Sequence, residues 1–146
     1  MRKSVLLIIS IFFVGTTVSS QVKVANYSLG KPGTDKYEHF EFWVSEGKRT
    51  AVSYGYGKEQ REIKLHYSGK EVIQGDTCFR IRFKNNYMLS IMRKGLQLRI
   101  FDSMGKYDKI FSWEYEGPVN GVGTFCEVCA EDESEAMRII QSAYIQ

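Results

Sequence analysis

Residues that carry chemistry are scarce in this chain: 146 residues hold two histidines and three cysteines. A structural zinc site takes four nitrogen or sulfur ligands at paired spacing. Cys126 and Cys129 form one such pair, but the residues left to complete a set, Cys78, His39 and His66, are scattered along the chain. The expectation is therefore no metal and no cofactor. An excess of charge of one sign is also missing, since 20 Lys and Arg face 17 Asp and Glu. The formal net charge of +3 falls close to zero if Arg2 and Lys3 are removed with the leader described below. A nucleic-acid partner needs a basic stripe or patch to neutralise phosphates, so none is expected. Internal repeats, low-complexity tracts and Pro/Ser-rich linkers are absent too. A chain of this length without them reads as one domain, long enough to bury a core without disulfides.

Long apolar runs are missing with one exception. Arg2 and Lys3 precede "VLLIISIFFV", and "GTTVSS" follows with small residues, Val18 and Ser20 suiting the positions before a cleavage site. Residues 1–20 read as a cleaved signal peptide, with the mature protein starting at Gln21. An uncleaved anchor is the competing reading, but spanning a bilayer takes roughly 20 apolar residues and this run meets Thr16 too early. The expected location is the secreted or periplasmic space, with no membrane span in the mature chain. Residues 21–36, with "NYSLGKPGTD", read as an N-terminal lead-in, and residues 37–146 as a single β-rich domain. Asn26-Tyr27-Ser28 is a glycosylation acceptor only in a eukaryotic host.

What is abundant is alternation. Ile63, Leu65 and Tyr67 share one side of "REIKLHYS", and Phe79, Ile81 and Phe83 share one side of "CFRIRFK". The same period sets Tyr87, Leu89 and Ile91 together, then Leu96, Leu98 and Ile100, then Phe111, Trp113 and Tyr115. Period-two patterning of this kind marks half-buried antiparallel strands. A two-residue turn at Asn85-Asn86 would point the Phe79 row away from the Leu89 row. A three-residue loop, Lys84-Asn85-Asn86 with Asn86 left-handed and bulged, brings both rows to one side, and burial selects it. Adding "YEHFEFWV" and "TAVSYGYG" gives about eight strands in an up-and-down meander. A helix over 132–145 ends the chain, with Asp132 as cap, Glu135 at the capping-box position, and Ala136, Ile139, Ile140 and Ala143 as one stripe. The fold class is all-β with one C-terminal helix, an antiparallel meander closed as a barrel or strongly curved, with a sandwich as competitor.

Function is less legible. Cys126-x-x-Cys129 stands before a helix, where the dipole favours a thiolate. Yet Glu127, Glu131, Asp132, Glu133 and Glu135 oppose one, and the βαβ setting of a redox motif is missing. A disulfide is the preferred reading. By loop entropy, Cys78 to Cys126 would stabilise by roughly 4 kcal/mol and Cys126 to Cys129 by roughly 2, whereas proximity favours Cys126 with Cys129, leaving Cys78 as the odd thiol. His39 and Glu41 share a strand face and suit acid–base work, but no nucleophile motif or second histidine stands nearby. "YGYG" lacks the helix of a phosphate loop, and its glycines suit a bend in a closing sheet. Cys78, Arg80, Arg82, Lys84, Met88, Ser90, Met92, Gln97, Arg99, Phe101 and Ser112 fall on the outer face. Arg80, Arg82 and Arg99 are the candidate contact surface there.

Three functions follow in order. The first is an exported, non-catalytic binding module, because aromatics make up 14% of the chain and suffice for both a core and a site holding a small apolar or saccharide ligand on the interior side or one rim. The second is an interaction or inhibitor protein using the basic, Met-bearing outer face. The third is a thiol–disulfide oxidoreductase.

Overall fold

The computed structural model describes residues 22–45, 48–115 and 129–146. Eight strands follow one another around a closed barrel: β1 Val22–Leu29, β2 Glu38–Ser45, β3 Lys48–Tyr56, β4 Arg61–Ile73, β5 Asp76–Arg82, β6 Met88–Lys94, β7 Gln97–Phe101 and β8 Asp108–Trp113. Each pairs antiparallel with its neighbour in sequence, and β1 closes the ring on β8 through Tyr27 opposite Trp113 and Ser28 opposite Ser112. The barrel alternative is the one adopted. Closure leaves no sheet edge to template another chain.

The row predicted to face one side does so. Phe79, Ile81, Leu89, Ile91, Leu98, Ile100 and Phe111 are all buried and belong to one core with Tyr27, Phe40, Phe42 and Val52. The loop that sets this register is the three-residue one. Ile81 lies opposite Leu89, and the Phe83 amide donates to the Tyr87 carbonyl at 2.9 Å. Asn86 adopts φ 65°, and the Asn85 side chain accepts from the Tyr87 amide at 3.1 Å, so the two asparagines supply the left-handed turn and its brace.

Four expectations need correction. The lead-in is not loop throughout, because its first part is barrel strand β1, with Ala25 and Tyr27 in the core. Leu96 does not continue the Leu98 row; it sits in the Gly95-Leu96 turn, 39% exposed. Trp113 is only half-buried, its ring against Tyr115, which is exposed beyond the strand. Cys78 faces outward but is fully buried, with Glu71 and Met92 as its cross-strand neighbours.

The helix forms as its cap predicts, but ends differently. Asp132 is extended, and its side chain accepts from the Glu135 amide at 2.8 Å, while the Glu135 carboxylate reaches back to the Glu131 amide at 2.9 Å. The α-helical part, α1, is Glu133–Ile140, and a π-helical turn, Gln141–Ile145, completes the span. The wider turn coincides with the placement of Tyr144. Its ring lies 5.5 Å from Phe42 and 5.1 Å from Phe79 in the barrel interior. Its one hydroxyl proton is shared between the carbonyls of Trp43 and Ala51, each 2.9 Å from the oxygen, beside the irregularity where β2 and β3 change register. Arg49 donates to the Ala143 carbonyl, and Lys70 to that of Gln146. Cations on the last carbonyls of a helix offset its unsatisfied end.

This end of the barrel is therefore stoppered by the helix. At the approach, the Ala130 amide donates to the Val24 carbonyl, and Cys129 forms a short parallel bridge with Val24. Outward-facing positions carry charge and inward ones are mainly apolar, the reverse of a lipid-facing barrel. Among the described residues no helix is long and apolar enough to cross a membrane.

Candidate functional site

The opposite end of the barrel carries the loops after β1, β3, β5 and β7, and it is built differently. In β2 the side chains alternate, so Glu38 stands in the same row as Phe40 and Phe42 and points inward. In β8, Lys109 stands in the row of Phe111 in the same way. These two inward charges meet: the Lys109 ammonium pairs with Glu38 Oε1, although the residues are 71 positions apart. Glu38 Oε2 also accepts from Tyr107 at 2.6 Å and from Tyr54 at 2.9 Å. The Lys109 ammonium sits 4.6 Å over the Tyr107 ring.

Burial alone would raise the Glu38 carboxyl, but the bonds from Lys109, Tyr107 and Tyr54 outweigh it and hold the group below the usual carboxylate range. Both tyrosines move the other way. Burial and the adjoining carboxylate push the Tyr54 and Tyr107 hydroxyls well above their ordinary value, so both stay protonated donors. A second carboxylate, Asp102, lies at the same end but is buried. Asp102 accepts from Tyr87 Oη at 2.9 Å and from the amides of Met104 and Lys106. Burial would raise Asp102, yet those donors hold it low, while burial and the Asp102 bond push Tyr87 up to about 12.

Aromatic rings complete the mouth. Tyr56 stacks on Tyr54 with centroids 5.7 Å apart, Tyr54 meets Phe83 edge-on at 5.8 Å, and Phe83 meets Tyr87 at 5.8 Å. Tyr56 is 38% exposed, and Tyr54, Phe83, Tyr87 and Tyr107 are half-buried, whereas the rings deeper in, Phe40, Phe42, Phe79 and Phe111, are fully buried. The interior is thus a packed core, and the mouth is its accessible aromatic layer. Sequence reading missed Glu38 and Lys109 as a pair. The available signal was a charge in phase with an apolar row, at the start of a strand, in each of two strands.

The residues singled out from sequence lie elsewhere. Arg80 pairs with Glu71 at 3.9 Å, and Arg99 grips Asp108 with two bonds of 2.9 and 2.7 Å while lying over the Phe101 ring. Arg82 is exposed, beside Met88 across the β5–β6 pairing. The proposed contact surface is brought together on one outer face, but two of its three cations are occupied in ion pairs. His39 and Glu41 share the outer face as expected, with Nε2 and Oε1 4.0 Å apart. The His39 imidazole covers Gly55 on the neighbouring strand, where a Cβ would come within 2.1 Å of the ring. Gly55 is thus the room the imidazole occupies, a more specific role than a bend. Cys78 is a free thiol, so it does not close the long-loop bridge to Cys126, and burial, then Glu71 and Asp76, push it up. Cys126 and residues 1–20 lie outside the described residues. Among the described residues no three His, Cys, Asp or Glu side chains converge on one point.

No family model, curated protein or solved structure matches this chain.

Proposed function

We propose that the chain is a small exported binding module, non-catalytic, whose ligand seats on the barrel mouth opposite the helix. The observation that carries this reading is the contrast between the two ends. One end is stoppered by Tyr144 and the helix, the middle is filled with buried rings, and the mouth keeps half-exposed aromatics around hydrogen-bonding groups that are already fixed in place. A site of this kind needs accessible apolar faces and a few placed polar groups. A ligand held deep inside, as in a hollow barrel, has no support in a core packed this way. Protein contact through Arg80, Arg82 and Arg99 is the weaker alternative, given the pairing of Arg80 and Arg99.

Export rests on residues 1–20, with their basic start, apolar run and small residues. We further propose that Cys126 and Cys129 form a disulfide that pins the chain where it joins β1. The free, buried state of Cys78 supports this pairing, and the acidic neighbours disfavour a reactive thiolate. Native mass spectrometry of the secreted protein tests the whole reading. The expected result is a chain starting within a residue or two of Gln21, one disulfide, and a retained small molecule that the Tyr56→Ala variant loses. An intact Met1 would remove export. A retained molecule unaffected by changes at Tyr56 and Tyr87 would remove the mouth as the site.

A further inference from the structure

Taking the mouth as the binding site, we infer that its ligand is a neutral, hydroxyl-bearing ring, a saccharide in chemical class. The first support is shape. Tyr56 and Tyr54 on β3, with Phe83 and Tyr87 at the two ends of the β5–β6 connection, form a chain of ring contacts, each neighbouring pair 5.7 to 5.8 Å apart. A sugar ring presents an apolar C–H face to such a surface and keeps its hydroxyls at the edge, where Glu38 and Lys109 stand.

Charge then removes the competitors. An anionic ligand seated against the rings would meet the Glu38 carboxylate, while the inward cation Lys109 is already held by Glu38. A cationic ligand would compete for the seat between Glu38 and the Tyr107 ring, which Lys109 occupies. A long apolar chain would have to enter the barrel, whose interior is filled by Phe40, Phe42, Phe79 and Phe111. A neutral hydroxylated ring meets none of these obstacles.

Hydrogen-bonding capacity points the same way. A carboxylate offers about four acceptor positions and an ammonium three donors. Glu38 uses three positions, on Tyr54, Tyr107 and Lys109, and Lys109 commits one donor to Glu38. The mouth thus retains acceptor and donor capacity side by side, which suits a hydroxyl, since it both donates and accepts.

The test is an NMR titration of the mature protein, following the side-chain resonances of Tyr56, Phe83 and Tyr87. The probes are two neutral sugars, cellohexaose and maltohexaose, with an anionic galacturonate hexamer, a cationic glucosamine hexamer and palmitate. The expected result is saturable shifts at all three residues with at least one neutral sugar, and affinity at least about tenfold weaker for the charged hexamers. Tyr56→Ala should weaken that binding about tenfold and Tyr56→Phe should preserve it, since stacking and not the hydroxyl is at stake. No shift with either neutral hexamer at millimolar concentration overturns the saccharide assignment. If palmitate or a charged hexamer moves these resonances instead, the class is wrong and the mouth stands. If no probe moves them, the mouth reading falls as well.

Discussion

Removing the Tyr144 hydroxyl tests whether the helix is pinned into the barrel or merely rests against it. The hydroxyl serves two carbonyls, those of Trp43 and Ala51, at 2.9 Å each, and the residue itself is 1% exposed. Tyr144→Phe keeps the ring contacts with Phe42 and Phe79 but leaves those carbonyls without this donor. A buried polar group stripped of its partner costs about 1–3 kcal/mol. For a domain of this size that corresponds to a fall in melting temperature of about 4 °C per kcal/mol. Tyr144→Ala removes the ring as well and opens a cavity between Phe42, Tyr67 and Phe79, for which a loss of about 3–5 kcal/mol is expected. Urea unfolding followed by far-UV circular dichroism measures both, and an unchanged slope would show that the unfolded states are comparable. The reasoning fails if Tyr144→Phe is as stable as the parent, or if the two variants lose the same amount.

Three other outcomes follow from the geometry. Glu38, Asp102 and Asp108 all have carboxyls held low in the folded state. Their contribution is present above the unfolded carboxylate range, about pH 4, and is lost as pH falls through the lower folded values. Stability measured across pH should therefore drop on the acid side, and Glu38→Gln should be less stable near neutrality with a shallower acid limb; an unchanged acid limb would refute the role given to Glu38. Gly55→Ala should destabilise by about 1–3 kcal/mol because the new methyl meets the His39 ring, and adding His39→Ala should recover part of that loss in a double-mutant cycle. Asn86→Val should lower stability by about 1–2 kcal/mol, a β-branched residue being ill suited to φ 65°, while Asn86→Gly should be close to neutral in thermal melts.

The barrel was legible because most of its strands obey one rule. In β5, β6 and the core of β7, the buried inward residues are apolar while the outward ones mix polar or charged residues with Cys78, Met88, Met92 and Phe101, so period and face could be read together. The loop at Lys84-Asn85-Asn86 was legible for the same reason, since one of the two possible registers would have turned Phe79 and Ile81 away from Leu89 and Ile91. Where a second layer covers the outside, the rule breaks. β1 was read as loop because Val24 faces outward yet is buried beneath Cys129 and Ala130, which blurs its alternation. Cys78 was read as solvated for a related reason: local period tells the face of a strand but not what its neighbours lay over it. The mouth was illegible for another cause. Glu38 and Lys109 looked like ordinary surface charges at strand starts, and only the closure of the ring brings them face to face. His39 and Glu41, two positions apart on one strand face, drew notice instead.

The stopper at the helix end also fixes the order in which this molecule can become itself. Tyr144 binds a carbonyl 101 residues away, and β8 must find β1 before the ring exists. Neighbouring strands can form as local hairpins, but closure and sealing both wait on pairings between distant parts of the chain. Such long-range pairing makes folding slow, on the scale of milliseconds to seconds. Tyr144 meets its two carbonyls only once β2 and β3 lie side by side, so sealing of this end follows strand pairing.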